Sequence, residues 1–282
     1  MTAAAFVAKS DTASAYDLKV RRMDFDLPEN LPTFWYADDP FRTLLLSALS
    51  AGFPEGERFF IDSVRYYRDS IKDPALQKAI SAFIGQEAHH SKEHDVLNKL
   101  MEKRGFSLGR IDRDVGKLMA LFRKRMSPAR QLAHTTAIEH FTALMAEQFL
   151  LTDDELESMH PSVAALWAWH AVEETEHKSV AFDVYKAVSD DEWVRLSQMA
   201  LATVLFVVFV TRDQVELIRE SGQAGDIKMW LKGVDHFWGR KGIFRKMLPA
   251  YLKYYRRDFH PSQHDSSALM ARIKKKYLGD KA

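Results

Sequence analysis

Apolar positions along this chain recur at spacings of three and four residues. Almost nowhere do they alternate as a half-buried strand requires. The first such pattern runs from about Pro40 to Ile71 and predicts a long helix. In "KDP", Asp73 then stands as an N-cap with Pro74 at the first helical position. The helix they open continues to about Lys103 and stops at Gly105. A short amphipathic segment, "DVGKLMALFRKRM", lies within residues 104–127. Ser127–Pro128 repeats the cap-plus-proline start and opens a third long helix to about Leu151, and a fourth runs from about Pro161 to Val188. Residues 1–38 read as an irregular N-terminal arm, in which Pro28 and Pro32 limit helix formation.

The four long helices come as two pairs, each with a short linker, and a connection of 24 residues separates the pairs. Such a connection can carry the chain from one end of a bundle to the other, as a ferritin-like fold requires, whereas a simple up-down bundle has no need of it. The expected organisation is an all-α chain: the arm, a ferritin-like four-helix bundle over residues 39–189, and a C-terminal helical extension over 190–282 packed on that bundle. Within the extension, "MALATVLFVVFV" (Met199–Val210) is the most apolar run. Its 12 residues, bracketed by Arg195 and Arg212, fall short of the roughly 17–25 that span a bilayer. It reads as a buried or dimer-interface helix in preference to a membrane contact. "FRKMLPAYLKYYRRDF" (Phe244–Phe259) mixes cations with aromatics and reads as a solvated helix whose aromatics pack inward, in preference to a membrane-surface segment.

Composition narrows the function classes. At 46% hydrophobic and 28% charged, the 282 residues suffice for a sizeable core. A net charge of +1 gives no case for a nucleic-acid partner. Zero cysteines exclude disulfides, thiolate zinc sites and cysteine nucleophiles, and fit a reducing cytoplasm. "MTAAAFVAKSDTASAYD" lacks the basic start and apolar run of a signal peptide.

The candidate chemistry sits on two helices. "HAVEETEH" (His170–His177) holds two histidines and three glutamates. At about 100° per residue, Glu173, Glu174 and His177 share a face with His170, while Glu176 lies roughly 120° away and reads as solvated. Glu174 and His177 form Glu-x-x-His, as do Glu87 and His90 in "GQEAHHSKEH" of the second helix. The first helix offers Glu57, preferred over Glu55 in the turn-like "PEG", and the third offers Glu139, preferred over Glu147 because it stands mid-helix. One glutamate from each of two helices plus Glu-x-x-His from each of the other two is the ligand set of di-iron and di-manganese carboxylate bundles. Four ionised glutamates converging inside a bundle are costly to bury, and two divalent ions cancel their charge. Oxygen and imidazole donors suit iron or manganese.

Together, "FPEGERFFIDSVRYY", "IGQEAHHSKEH", "HAVEETEHKSVAFDVY" and "YYRRDFHPS" resemble a bacterial family described as predicted metal-dependent hydrolases, over nearly everything after about residue 20. The resemblance implies a ferritin-like fold and a dinuclear metal centre. His170, four residues before Glu174, is similar to the extra histidine of arylamine-oxidising di-iron N-oxygenases such as p-aminobenzoate N-oxygenase. That likeness gives seven ligands: Glu57, Glu87, His90, Glu139, His170, Glu174 and His177. Glu173 is placed like the acid of ribonucleotide reductase radical subunits that hydrogen-bonds a ligand histidine. His94 competes with His170 for the extra place, and His89 and His140 point off the ligand faces.

The expected function is an O₂-activating non-haem di-iron oxidase or oxygenase on a small organic substrate, hydrophobic or aromatic. Two iron ions are the expected cofactors, with manganese or a mixed pair as alternatives. An electron-donor protein and a second copy of the chain are the partners considered. A dinuclear metal-dependent hydrolase is the alternative reading, and a ferritin-like ferroxidase a further one.

Overall fold

A computed structural model of the chain describes residues 16–151 and 153–281. The first part of the expected arm, and most of the segment read for a signal peptide, lie outside the described residues. Residues 16–39 run without helix along the bundle. Among the described residues, eleven α-helices follow. They are α1 (Pro40–Arg65), α2 (Pro74–Glu102), α3 (Leu108–Arg125), α4 (Pro128–Leu151), α5 (Asp153–Glu157), α6 (Pro161–His177), α7 (Val180–Val188), α8 (Glu192–Glu220), α9 (Ile227–Trp238), α10 (Ile243–Lys253) and α11 (Ser267–Ile273). The described residues hold no strand beyond an isolated bridge between Tyr36 and Met159.

The cap-plus-proline signals set the starts. Asp39 accepts from the Arg42 N–H at 3.1 Å, Asp73 from Ala75 at 2.9 Å and Ser127 Oγ from Arg130 at 3.4 Å, each one residue before a proline. Three boundaries differ from expectation. α1 stops at Arg65, not Ile71, because its apolar stripe ends at buried Val64 and the residue after the helix, Tyr66, faces water. The fourth long helix is two, broken at Lys178–Ser179, where Lys178 Nζ turns away to donate to the His264 carbonyl at 2.7 Å. The short amphipathic segment is a full 18-residue helix.

That helix, α3, makes the bundle's connectivity. α2 packs antiparallel along α1 and ends near α1's start, where Leu97, Leu100 and Met101 share a core with Leu44, Leu45 and Leu49. Leu108 and Ile111 at the start of α3 join this cluster, but Met119 and Phe122 join Phe59, Phe60 and Val64 at the far end of α1. α3 therefore runs back parallel to α1 and delivers α4 to the opposite end, where Ser63 Oγ meets Thr135 Oγ1 at 2.8 Å. α4 pairs with α6, α6 with α2 and α1 with α4, so the four long helices close a ring in the order α1, α2, α6, α4. This is the end-to-end crossover of a ferritin-like bundle.

α8 lies along α1 and α4. The apolar Met199–Val210 run is the middle of this 29-residue helix, which is long and apolar enough to cross a membrane by length and composition. Expectation stopped the run at its flanking arginines. Arg195, however, is a buried helical residue that donates to the carbonyls of Tyr254 (2.5 Å) and Arg256 (3.0 Å). Nor is the helix wholly buried, since Val204, Val207 and Val208 face outward. In the Phe244–Phe259 stretch Tyr254 and Phe259 pack inward as expected, while Leu248 and Leu252 stay exposed.

Candidate metal centre

The seven expected donors come from α1, α2, α4 and α6 and meet in the middle of the bundle. Glu57, Glu87, His90, Glu139, His170, Glu174 and His177 are all buried. They form three overlapping groups, Glu57–His90–His170, Glu87–His90–Glu174 and Glu87–Glu139–His177, each with donor atoms within 4.8 Å of one another. His177 Nε2 lies 3.1 Å from Glu87 Oε1, 3.3 Å from Glu139 Oε2 and 3.5 Å from Glu174 Oε1. His90 Nδ1 stands 3.7 Å from Glu174 Oε1 and 3.9 Å from Glu87 Oε2. His170 Nε2 faces Glu174 Oε1 at 3.5 Å.

Most of these approaches lack hydrogen-bond alignment. Eight buried donor atoms of the cluster have no hydrogen-bond partner: Glu57 Oε1, both oxygens of Glu87 and of Glu139, Glu174 Oε2, His90 Nδ1 and His177 Nε2. Native proteins leave only a few buried polar atoms unmet per hundred residues, and here eight of them converge on one spot. Oxygen and imidazole donors with free lone pairs, converging in a bundle core, fit metal cations.

The electrostatics agree. Burial pushes the Glu57 and Glu87 carboxyls well above their ordinary range, with the neighbouring carboxylates adding to it. Burial likewise raises Glu139 to about 7, with His177 opposing. Glu174 runs the other way: burial would raise it, but His177, His170 and His90 together hold it at about 2. Burial lowers His90 and His170 to about 3, keeping both imidazoles neutral with a lone pair free.

Each histidine is aimed by a partner on its remote nitrogen, as metal-binding imidazoles require. His90 Nε2 meets Glu173 Oε2 at 3.1 Å, and Arg21 donates to the other Glu173 oxygen at 3.0 Å. His177 Nδ1 meets Gln86 Oε1 at 3.1 Å. His170 Nδ1 meets His94 Nε2 at 3.0 Å, and His94 Nδ1 meets Ser50 Oγ at 2.8 Å. Aromatic rings shield all three: Trp169 packs on His90, Phe53 on His170 and Phe83 on His177.

Pro54 ties this support to α1. It has no N–H, so the Ser50 carbonyl loses its helical partner. Asn98 Nδ2 donates to that carbonyl at 3.0 Å, while Asn98 Oδ1 accepts from Ser50 Oγ at 2.7 Å. One turn further on, Ser91 Oγ holds Glu57 Oε2 at 2.8 Å.

The structure separates the competing side chains in space and corrects one expectation. His94 sits behind His170, in contact with its remote nitrogen and not with the carboxylates. Glu55 and Glu147 stand outside the cluster, on Arg58 and on His264 and Ser266. Glu176 is not solvated. Its side chain is enclosed, paired with Arg21 (2.8 Å) and Lys274 (2.5 Å), and accepts from Gln86 Nε2 at 3.0 Å. The helix face that looked free is covered by the arm and by the turn after α11. His140 is off the site, packed against Tyr254 and Phe259. Sequence reasoning missed Arg21, Gln86, Ser50 and Asn98. Gln86 immediately precedes Glu87, which was a usable signal, but nothing in the arm marks Arg21.

Fold and site place the chain among helical-bundle proteins with a buried carboxylate–histidine cluster able to hold metal ions. The chain belongs to the family described as "Predicted metal-dependent hydrolase", whose model matches residues 19–265. No curated protein and no solved structure matches it.

Proposed function

We propose that the cluster holds two divalent metal ions and that the chain is a metal-dependent hydrolase acting on a substrate with an apolar group. The convergence of eight unpartnered buried donor atoms carries the metal reading. The family description favours hydrolysis over the oxidase expected from the donor pattern. In this reading Glu57, Glu87, His90, Glu139, His170, Glu174 and His177 are the ligands, and Glu173 orients His90. When bound, such a pair supplies Lewis acidity and water that ionises near neutral pH.

The chain's own residues do the rest. A mostly apolar cavity of about 140 Å³ lies between α1, α3, α4 and α8, lined by residues such as Phe53, Phe60, Ile138 and Phe206, and it reaches Glu57. A benzene-sized apolar group fits such a space. Phe53 stacks on His170 at 4.7 Å and also lines the cavity, so it forms the wall between the cavity and that imidazole. Ser91 fixes one Glu57 oxygen and leaves Oε1 unpartnered, so this carboxylate presents a single donor oxygen to the cluster at the end of the cavity.

A second reading, O₂ activation by two irons, is favoured by one observation: two Glu-x-x-His pairs and two further glutamates converge from four helices, the di-iron carboxylate pattern. Metal analysis of protein from its native host, followed by two assays, separates the readings. Zinc- or manganese-supported cleavage of aryl and short-chain esters supports hydrolysis. A near-ultraviolet band and O₂ uptake by the anaerobically reduced iron form, without ester cleavage, assigns the oxidase. Full metal content in both Glu87→Ala and Glu174→Ala overturns the metal site itself.

A further inference from the structure

Three consecutive helices of the extension turn apolar side chains to the outside, and they do so on one side of the molecule. α9 buries Met229, Gly233 and Phe237 against the body, yet a second stripe on the same helix points away. Ile227 is 72% exposed, Leu231 67% and Trp238 51%, at helical spacing. A cavity lined jointly by Val207 of α8, Trp238 of α9 and Phe244 of α10 places these helices around one rim. The Thr203 Oγ1–Tyr251 Oη contact of 2.9 Å pins α10 to α8, which sets exposed Leu248 and Leu252 beside exposed Val204 and Val207. A continuous apolar patch of this kind is more than the scattered exposed apolar residues of an ordinary surface.

Charge indicates what the patch meets. Residues 227–257 contain nine lysines and arginines and one acid, Asp235, in a chain whose net charge is only +1. Lys228 and Lys232 flank the α9 stripe, and Arg245, Lys246 and Lys253 accompany Leu248 and Leu252 on α10. Aromatic and aliphatic side chains ringed by cations suit the interface of an anionic bilayer. α8 is tied to the body of the protein at both ends, which suits a helix lying on such a surface and not one crossing it. Arg195 holds one end to the carbonyls of Tyr254 and Arg256, and Gln214 Nε2 holds the other to the Phe41 carbonyl at 3.1 Å.

We propose that the face formed by α8, α9 and α10 docks the protein on anionic lipid membranes. This holds whichever reaction the metal centre runs. If the reading above is right, the apolar cavity roofed by α8 is held close to the bilayer, from which an apolar substrate partitions directly.

Vesicle flotation of the full-length, metal-loaded protein tests the proposal. It floats with vesicles of equal parts phosphatidylglycerol and phosphatidylcholine, and at least about tenfold less with phosphatidylcholine alone or at high salt. The double variant Ile227→Asp/Leu231→Asp loses flotation by at least about tenfold, and so does Trp238→Ser, a separate change at the other end of the stripe. Each keeps the wild-type helical content and metal load, because Ile227 and Leu231 face outward and Trp238 is half exposed at the rim, away from the bundle core. Lys228→Glu/Lys232→Glu removes the dependence on anionic lipid. Absence of flotation, or flotation that none of these variants changes, overturns the proposal. So does a wild-type dimer, seen by sedimentation without vesicles, that the double variant dissolves; that result gives the face to a second copy of the chain.

Discussion

His94 Nε2 stands 3.0 Å from His170 Nδ1, and a metal on His170 Nε2 would fix a single direction for the protons behind the cluster. For His170 Nε2 to offer a lone pair to a metal, its Nδ1 must carry the hydrogen and donate to His94. His94 Nδ1 then donates to Ser50 Oγ at 2.8 Å, and Ser50 donates to Asn98 Oδ1 at 2.7 Å. Replacing His94 by Ala should remove that control and lower the affinity for one ion of the pair by about 10–100-fold. Metal titration of the purified variant measures this, and two-site binding at wild-type affinity would show that His94 is only packing.

Arg21 reaches from the arm to Glu173 and Glu176, all three nearly inaccessible to water. Arg21→Met leaves buried Glu173 without its cation and Glu176 with Lys274 alone, and breaking a buried pair from one side costs about 3–5 kcal/mol. Thermal and urea unfolding should register that loss. Because Glu173 holds His90 Nε2, the variant should also bind metal more weakly. Glu173→Gln in the Arg21→Met background should recover part of the stability; no recovery would mean that the arm's packing, not charge, is what Arg21 supplies.

How much of this was legible depended on where the signal lay. The two Glu-x-x-His pairs could be placed from spacing alone, because i and i+3 on a helix share a face wherever the helix goes. Glu57 and Glu139 followed from the bundle pattern. The 24-residue connection correctly implied a crossover, though not that it would be a helix laid along α1. Glu176 was misjudged because a helical wheel shows which way a residue points but not what covers that side. Here Arg21, 155 residues away in sequence, covers it. The end of α1 and the break at Lys178 depend on which side chains find burial, which periodicity does not encode.

In metal-free protein, stability should fall as pH rises above about 6.5. Glu57 and Glu87 are raised well above their ordinary value of 4.5, chiefly by burial, and Glu139 to about 7. His177 is raised well above 6.5: burial opposes this, and Glu139 and Glu174 outweigh it. Each group binds its proton more tightly folded than unfolded, so each contributes stability that is complete below its unfolded value and lost as pH climbs through the folded one. His90 and His170, lowered to about 3, are neutral in both states above 6.5 and drop out of this window. Metal takes the place of those protons, so loaded protein should show a much flatter profile and should release protons on binding at pH 6. Melting temperatures of chelator-treated and loaded samples across this range check the first statement, and calorimetry in buffers of different ionisation enthalpy the second. A metal-free protein that gains stability above pH 6.5 would contradict the assignment.

Gly52 lies inside α1, where glycine costs helix stability, and a Cβ there would meet Val115 Cγ2 at 3.8 Å, an ordinary contact. Gly52→Ala should therefore stabilise the protein by up to about 1 kcal/mol. Gly52 also lines the cavity that reaches Glu57, so a larger side chain has that space to enter. Gly52→Leu should fill part of it while leaving all seven donors in place. Wild-type and Gly52→Ala protein should bind benzene or a small aromatic fluorophore, and Gly52→Leu should bind it at least about tenfold more weakly, with metal content unchanged in all three. Equal probe binding by the leucine variant would place the apolar site elsewhere and remove the cavity from the proposed reaction.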